Sequence, residues 1–134
     1  MFKFKNGRGG TGYKVLTLFS SKLLKCDCHI IKYEVDSFID EHVDPAPVGY
    51  VHKRTNVVLG WKLSGGIFNI AFNENYPTKG AGMSWEYNDN DYELYYQTFY
   101  PSECSHSVTK VFSGKRYVLS FGRLIKSIAK TESL

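Results

Sequence analysis

Met83-Ser84-Trp85-Glu86-Tyr87-Asn88-Asp89-Asn90-Asp91-Tyr92-Glu93-Leu94-Tyr95-Tyr96-Gln97-Thr98-Phe99-Tyr100 is the stretch that decides the fold. Two aromatic-rich runs, Met83 to Tyr87 and Tyr92 to Tyr100, bracket four consecutive Asn and Asp residues. Aromatic side chains pack well on a pleated surface, and Asn and Asp accept the left-handed backbone angles of a tight turn, so this is a β-hairpin. Alternation in its second strand puts Tyr92, Leu94, Tyr96, Thr98 and Tyr100 on one face and Glu93, Tyr95, Gln97 and Phe99 on the other. Once one face enters a core, the other is left to solvent. The expectation is that Tyr95 and Phe99, with Trp85 and Tyr87 of the first strand, form an exposed binding surface beside acids, of the amphipathic aromatic kind that protein interfaces favour.

Upstream, Val48 to Lys53 and Val57 to Leu63 flank Arg54-Thr55-Asn56, and Ser64-Gly65-Gly66 leads into Ile67 to Phe72, which predicts a three-stranded meander. Asn73 to Gly82 reads as a loop. Downstream, Val108 to Phe112 and Arg116 to Phe121 surround Ser113-Gly114-Lys115, a further hairpin. Leu124, Ile125 and Ile128 then recur at helical spacing, so Arg123 to Lys130 predicts a short C-terminal helix. Near the N-terminus, alternating Phe2 and Phe4, a glycine-rich loop and Tyr13 to Phe19 make another hairpin, and Lys25 to Val35 makes a strand. Val35, Phe38, Ile39 and His42 suit one short helix, stopped by Asp44-Pro45-Ala46-Pro47.

The whole is therefore mainly β: a single-domain antiparallel β-sandwich or barrel spanning residues 1–134, with eight to nine short strands and one or two short helices, one of them C-terminal. A chain of 134 residues buries enough surface to fold without covalent help, and 43% hydrophobic with 22% charged residues excludes a disordered or fibrous chain. The N-terminus lacks the apolar run of a secretory signal, no stretch reaches the ~18 apolar residues of a membrane span, and three cysteines cannot all pair. The expectation is a soluble cytoplasmic or otherwise intracellular protein with no membrane partner, its Asn, Lys, Tyr and Phe usage fitting an AT-rich, viral genome.

Every cysteine lies in Cys26-Asp27-Cys28-His29 or Cys104-Ser105-His106. Residues two apart on a strand share a face, so Cys26, Cys28, Cys104 and His106 would supply the three thiolates and one imidazole of a structural zinc, provided the segments meet. The paired-ligand spacing is one residue shorter than a zinc knuckle uses, and packing of the cysteines as small hydrophobes competes with it. A cysteine-dependent enzyme, with Cys104 as nucleophile and His106 or His29 as base, is a third reading, lacking any flanking signature. Glu34, Asp36, Asp40, Glu41 and Asp44 lack the Gly and the closing Glu of a calcium loop and read as a solvated face. The Gly7 to Gly12 loop fails as a phosphate loop because Tyr13 stands where Lys is needed.

Net charge is +4, distributed as +6 over residues 1–33, −5 over 34–46, +3 over 47–84, −5 over 85–104 and +5 over 105–134. The basic segments, with Arg8, Lys14, Lys115 and Arg116, would suit RNA or single-stranded nucleic acid. No catalytic set is complete. The leading expectation is a non-enzymatic protein-protein interaction module, an inhibitor or assembly subunit, docking on a larger protein through the aromatic hairpin, with nucleic-acid binding as the alternative.

Overall fold

The computed structural model describes residues 2–127. Two antiparallel sheets make the architecture. The large one has seven strands in the order β1-β2-β3-β10-β5-β8-β7, formed by Lys5–Asn6 (β1), Lys14–Ser21 (β2), Cys26–Tyr33 (β3), Tyr50–Gly65 (β5), Lys79–Tyr87 (β7), Asn90–Phe99 (β8) and Val111–Lys126 (β10). The small one has the order β4-β9-β6, formed by Ile39–His42 (β4), Phe68–Ile70 (β6) and His106–Val108 (β9). Among the described residues β1 and β7 are the edges, and the large sheet is not a closed barrel.

The core cluster joins Tyr33, Val58, Val111 and Val118 of the large sheet, and Tyr13 just before β2, to Val108 of the small sheet, with Ile39 and Phe68 of the small sheet packed against it. The small sheet thus covers one face of the large one. We call that face inner and the opposite face outer.

The hairpin decides the fold as its sequence requires. Asn88 and Asp89 both have positive φ, 50° and 61°, closing a two-residue turn of the type whose twist matches its strands, and Tyr87 faces Asn90. Asn90 and Asp91 therefore belong to β8. Two other turns expected from composition are strand interior. Arg54-Thr55-Asn56 lies in the middle of the 16-residue β5, because each polar group of Arg54 and Thr55 finds a cross-strand partner: Arg54 reaches Asp27 and Ser120, and Thr55 reaches Thr98. Ser113-Gly114-Lys115 lies in β10 as an irregularity in its pairing with β5. Gly114 has φ +82°, and a Cβ there would fall within 2.3 Å of the Lys62 carbonyl oxygen, so it makes the close approach of a bulge and not a chain reversal.

The expected helices are corrected. Ile39–His42 is a strand whose residues pair with β9, and tertiary pairing overrides the weak helical spacing of Val35 to His42. Arg123 to Lys126 completes β10, paired with Tyr50 to Lys53; the rest of the expected C-terminal helix, residues 128–130, lies outside the described residues. Among the described residues the only helical piece is a single 3-10 turn at Arg8–Gly10, and no helix is long and apolar enough to cross a membrane.

Candidate functional site

His42 ends β4 and His106 begins β9, and the two are register partners. Cross-strand partners share a face, so their rings meet with centroids 4.3 Å apart. His106 is buried against the rings of Phe68 and Phe99, 6.0 and 5.4 Å away. Just beyond β4 the chain is tied down by the Asp44 N–H, which donates to the Pro101 carbonyl at 2.8 Å, and the Asp44 carboxylate turns back between the two imidazoles. Its Oδ1 lies 3.3 Å from His42 Nε2 and its Oδ2 lies 3.7 Å from His106 Nε2. Burial works to raise the Asp44 carboxyl, but the hydrogen bond and charge of His106, with His42 and His52 beyond, outweigh it and leave it lowered. Arg8, largely exposed, approaches Asp44 Oδ1 at 3.8 Å from the glycine-rich loop.

The facing wall is the inner face of the large sheet. There Arg54 donates to the Asp27 carboxylate and to Ser120 Oγ, and lies 3.3 Å from His52 Nε2. His29 Nε2 lies 3.4 Å from the same Asp27 oxygen, and its Nδ1 is held by Thr17 Oγ1 at 2.9 Å. Burial raises the Asp27 carboxyl, but the His29 hydrogen bond and the Arg54 charge more than offset it and hold its pKa at about 2. His52 is lowered by burial and then by Arg54. Deeper in, Arg116 is 1% exposed, its guanidinium 4.7 Å from the Tyr33 ring centroid and its Nε without a partner; burial pushes the Tyr33 phenol up to about 12. Between the walls is a cavity of about 260 Å³, lined by His42, Asp44 and His106 on one side and by His29, Asn56 and Arg116 on the other.

The outer face carries a different surface. Reading across the register, Leu16, Ile30, Leu119, Val57 and Tyr96 form one row, and Leu59, Leu94 and Met83 form the next. Trp61, Tyr92 and Trp85 form a third row and stack, with centroids 6.4 and 5.5 Å apart. Nothing covers these rows within the described chain: Val57, Leu59, Trp61, Leu94, Tyr96 and Leu119 are each 40–47% exposed although they sit mid-sheet. The charged side chains within the strands on this face are cationic, and Glu34, just past the end of β3, pairs with Lys32 at 2.9 Å. Lys14, Lys32, Lys53, Lys79, Lys115 and Arg123 alternate in phase with the apolar rows, while Asp27, Glu86, Asp91 and Glu93 point inward. Lys115 Nζ lies 5.7 Å from the Trp61 ring centroid.

The residues singled out in the sequence are divided between these places. Trp85, Tyr87, Lys14 and Lys115 are outer. Phe99 is 2% exposed and Tyr95 packs against the core, so the solvent face of the hairpin is that of Tyr92, Leu94 and Tyr96, opposite to expectation; Arg116 is buried and cannot meet a nucleic-acid phosphate. Cys26 and Cys28 lie on the outer side of β3, paired with Arg123 and Phe121, whereas His106 lies between the sheets, so the four residues of the expected zinc set do not converge. Cys104 is buried with its thiol 3.6 Å from the Tyr76 carbonyl, and burial, then Glu103, raise its pKa. His106 Nδ1 is directed at the Cys104 carbonyl, not at its sulfur, so this thiol lacks the base that nucleophilic chemistry requires. Asp44 and His42, absent from the expected ligand set, could have been found from their spacing: two residues apart at a strand end, they project to one side. Among the described residues, His42, Asp44 and His106 are the one group whose donor atoms approach as metal ligands do. Comparison with protein-family models, curated proteins and solved structures gives no match in any of the three.

Proposed function

We propose that the protein is an interaction module, sandwich-like in its two layers, whose outer face docks on a partner protein with a flat apolar surface fringed by carboxylates. The observation that supports this is the outer face itself: mid-sheet Leu59, Leu119 and Leu94 at 40%, 46% and 40% exposure, ringed by cations that outnumber the acid among them, Glu34 beside Lys32. From β2 to β7 the sheet spans about 24 Å at ~4.8 Å per strand spacing, wide enough for a patch beyond the few hundred Å² that monomers leave uncovered. Aliphatic residues at the centre and cations around them match the apolar core and polar rim of a protein interface. Charge selects the partner. A second copy would set cation against cation, whereas an acidic rim is complementary and speeds encounter. The Tyr-rich hairpin takes part through Trp85, Tyr92 and Tyr96.

A photo-crosslinking residue in place of Leu119, expressed in the native cell, tests the reading. The expected adduct carries Asp or Glu beside apolar residues, weakens with salt, and disappears when Leu59→Glu is added. Absence of an adduct from a folded chain, a crosslink to a second copy, or salt-sensitive binding of single-stranded oligonucleotides to the Trp61, Tyr92 and Trp85 row would each overturn it.

A further inference from the structure

We infer that His42, Asp44 and His106 form a binding site for a divalent first-row transition metal, with nitrogen and oxygen donors and an open position toward the inter-sheet cavity. His42 Nδ1 lies 2.7 Å from the Asp40 carbonyl oxygen and His106 Nδ1 lies 2.9 Å from the Cys104 carbonyl oxygen. A carbonyl oxygen can only accept, so each Nδ1 carries the proton and, in the neutral ring, each Nε2 presents its lone pair. Both lone pairs converge on the Asp44 carboxylate, itself an acceptor, and three acceptors facing one another are stable only with a cation or shared protons between them. Backbone carbonyls behind imidazoles are the supports that fix tautomer and ring orientation in metal sites.

Distances agree with this. The three donor atoms lie within 4.8 Å of one another. A tetrahedral ion held at ~2.0–2.1 Å needs them about 3.4 Å apart, a closure that side-chain torsions supply. Two imidazoles and one carboxylate suit zinc, cobalt or iron and leave a coordination position free, and all three residues line the cavity of about 260 Å³. The elements are unlike in the way a built site requires: one ligand from each of two paired strands, and the third from the segment that Pro101 anchors. Apart from histidines, Arg8 is the cation that approaches Asp44 among the described side chains, and it is largely exposed.

The experiment is titration of the tag-free, chelator-stripped chain with Co²⁺ and then Zn²⁺. One equivalent of Co²⁺ should bind with visible d–d absorption and without the intense sulfur-to-cobalt charge transfer that cysteine ligands give, and Zn²⁺ should displace it. His42→Gln and Asp44→Asn should each weaken Zn²⁺ binding at least tenfold, while Cys28→Ser leaves it unchanged and Arg8→Ala leaves it unchanged or tighter. Because the wild-type cobalt spectrum reports the donors directly, a variant that fails to fold does not prevent a decision. Substoichiometric uptake, a thiolate charge-transfer band, or equal affinity in folded His42→Gln would overturn the inference; the protons would then be what holds the cluster together.

Discussion

The inner and outer faces of the large sheet are built from the same strands, yet one is closed and the other open. On the inner face many side chains are polar or charged, and most are engaged: Arg54 with Asp27 and Ser120, His29 with Thr17, Arg116 with Tyr33 and Tyr95, while Asn56 Oδ1, Gln97 Oε1 and Arg116 Nε are left without a partner. On the outer face the side chains are mostly apolar and remain in contact with water. The difference teaches that hydrophobicity alone does not say which face a small sheet buries. Buried polar groups are tolerated where they are mutually satisfied, and an apolar face can be kept for a partner.

The largest effect is expected from removing Arg54. Arg54→Ala strands the Asp27 charge and frees Ser120 between the sheets, and urea denaturation should show a loss of about 3 kcal/mol, at the lower end for a broken buried pair because Asp27 keeps some solvent. Next in size is Val58→Ala, at a fully buried inner position. Two lost methyl groups and the void they leave should cost about 2 kcal/mol with an unchanged denaturant slope.

The Asp27 carboxyl gives a third, pH-dependent effect. Its folded pKa of about 2 lies below the ordinary 3.8, so the unfolded chain binds the extra proton. Its contribution is therefore complete above about pH 4 and is lost as pH falls toward 2; allowing for solvent screening it amounts to about 1–2 kcal/mol. Asp27→Asn should flatten the acid limb of the stability profile. The smallest stability effect belongs to the outer face: Leu59→Ser or Leu119→Ser should change stability by no more than ~0.5 kcal/mol while removing partner binding. A loss as large as that of Val58→Ala would erase the distinction between the faces.

Much of the fold was legible locally. The turn at Asn88-Asp89 and the aromatic alternation of Tyr92 to Phe99 identify the hairpin, because turn chemistry and period two are properties of neighbouring residues. The length of β5 was not legible, since Arg54-Thr55-Asn56 reads as a break until Asp27, Ser120 and Thr98 are placed opposite. The same holds for β4: four residues with an ambiguous pattern become a strand only when β9 lies beside them. At the candidate metal site, His106 was visible as a ligand type, but its partners were sought among Cys26 and Cys28, which the pleat sends to the opposite side of the sheet, and Cys104, whose thiol turns to the Tyr76 carbonyl.

By itself, then, the sequence determined the class of the fold, the hairpin with its turn, and which side chains alternate together along each strand. It did so because these depend on spacing and local backbone preference. Only the tertiary structure decided which alternating set faces inward, that β5 and β10 run unbroken, and that His42, Asp44 and His106 converge. Strand register and sheet order bring together residues from opposite ends of the chain, such as Cys26 with Arg123, and no local pattern encodes a pairing whose energy comes from its partner.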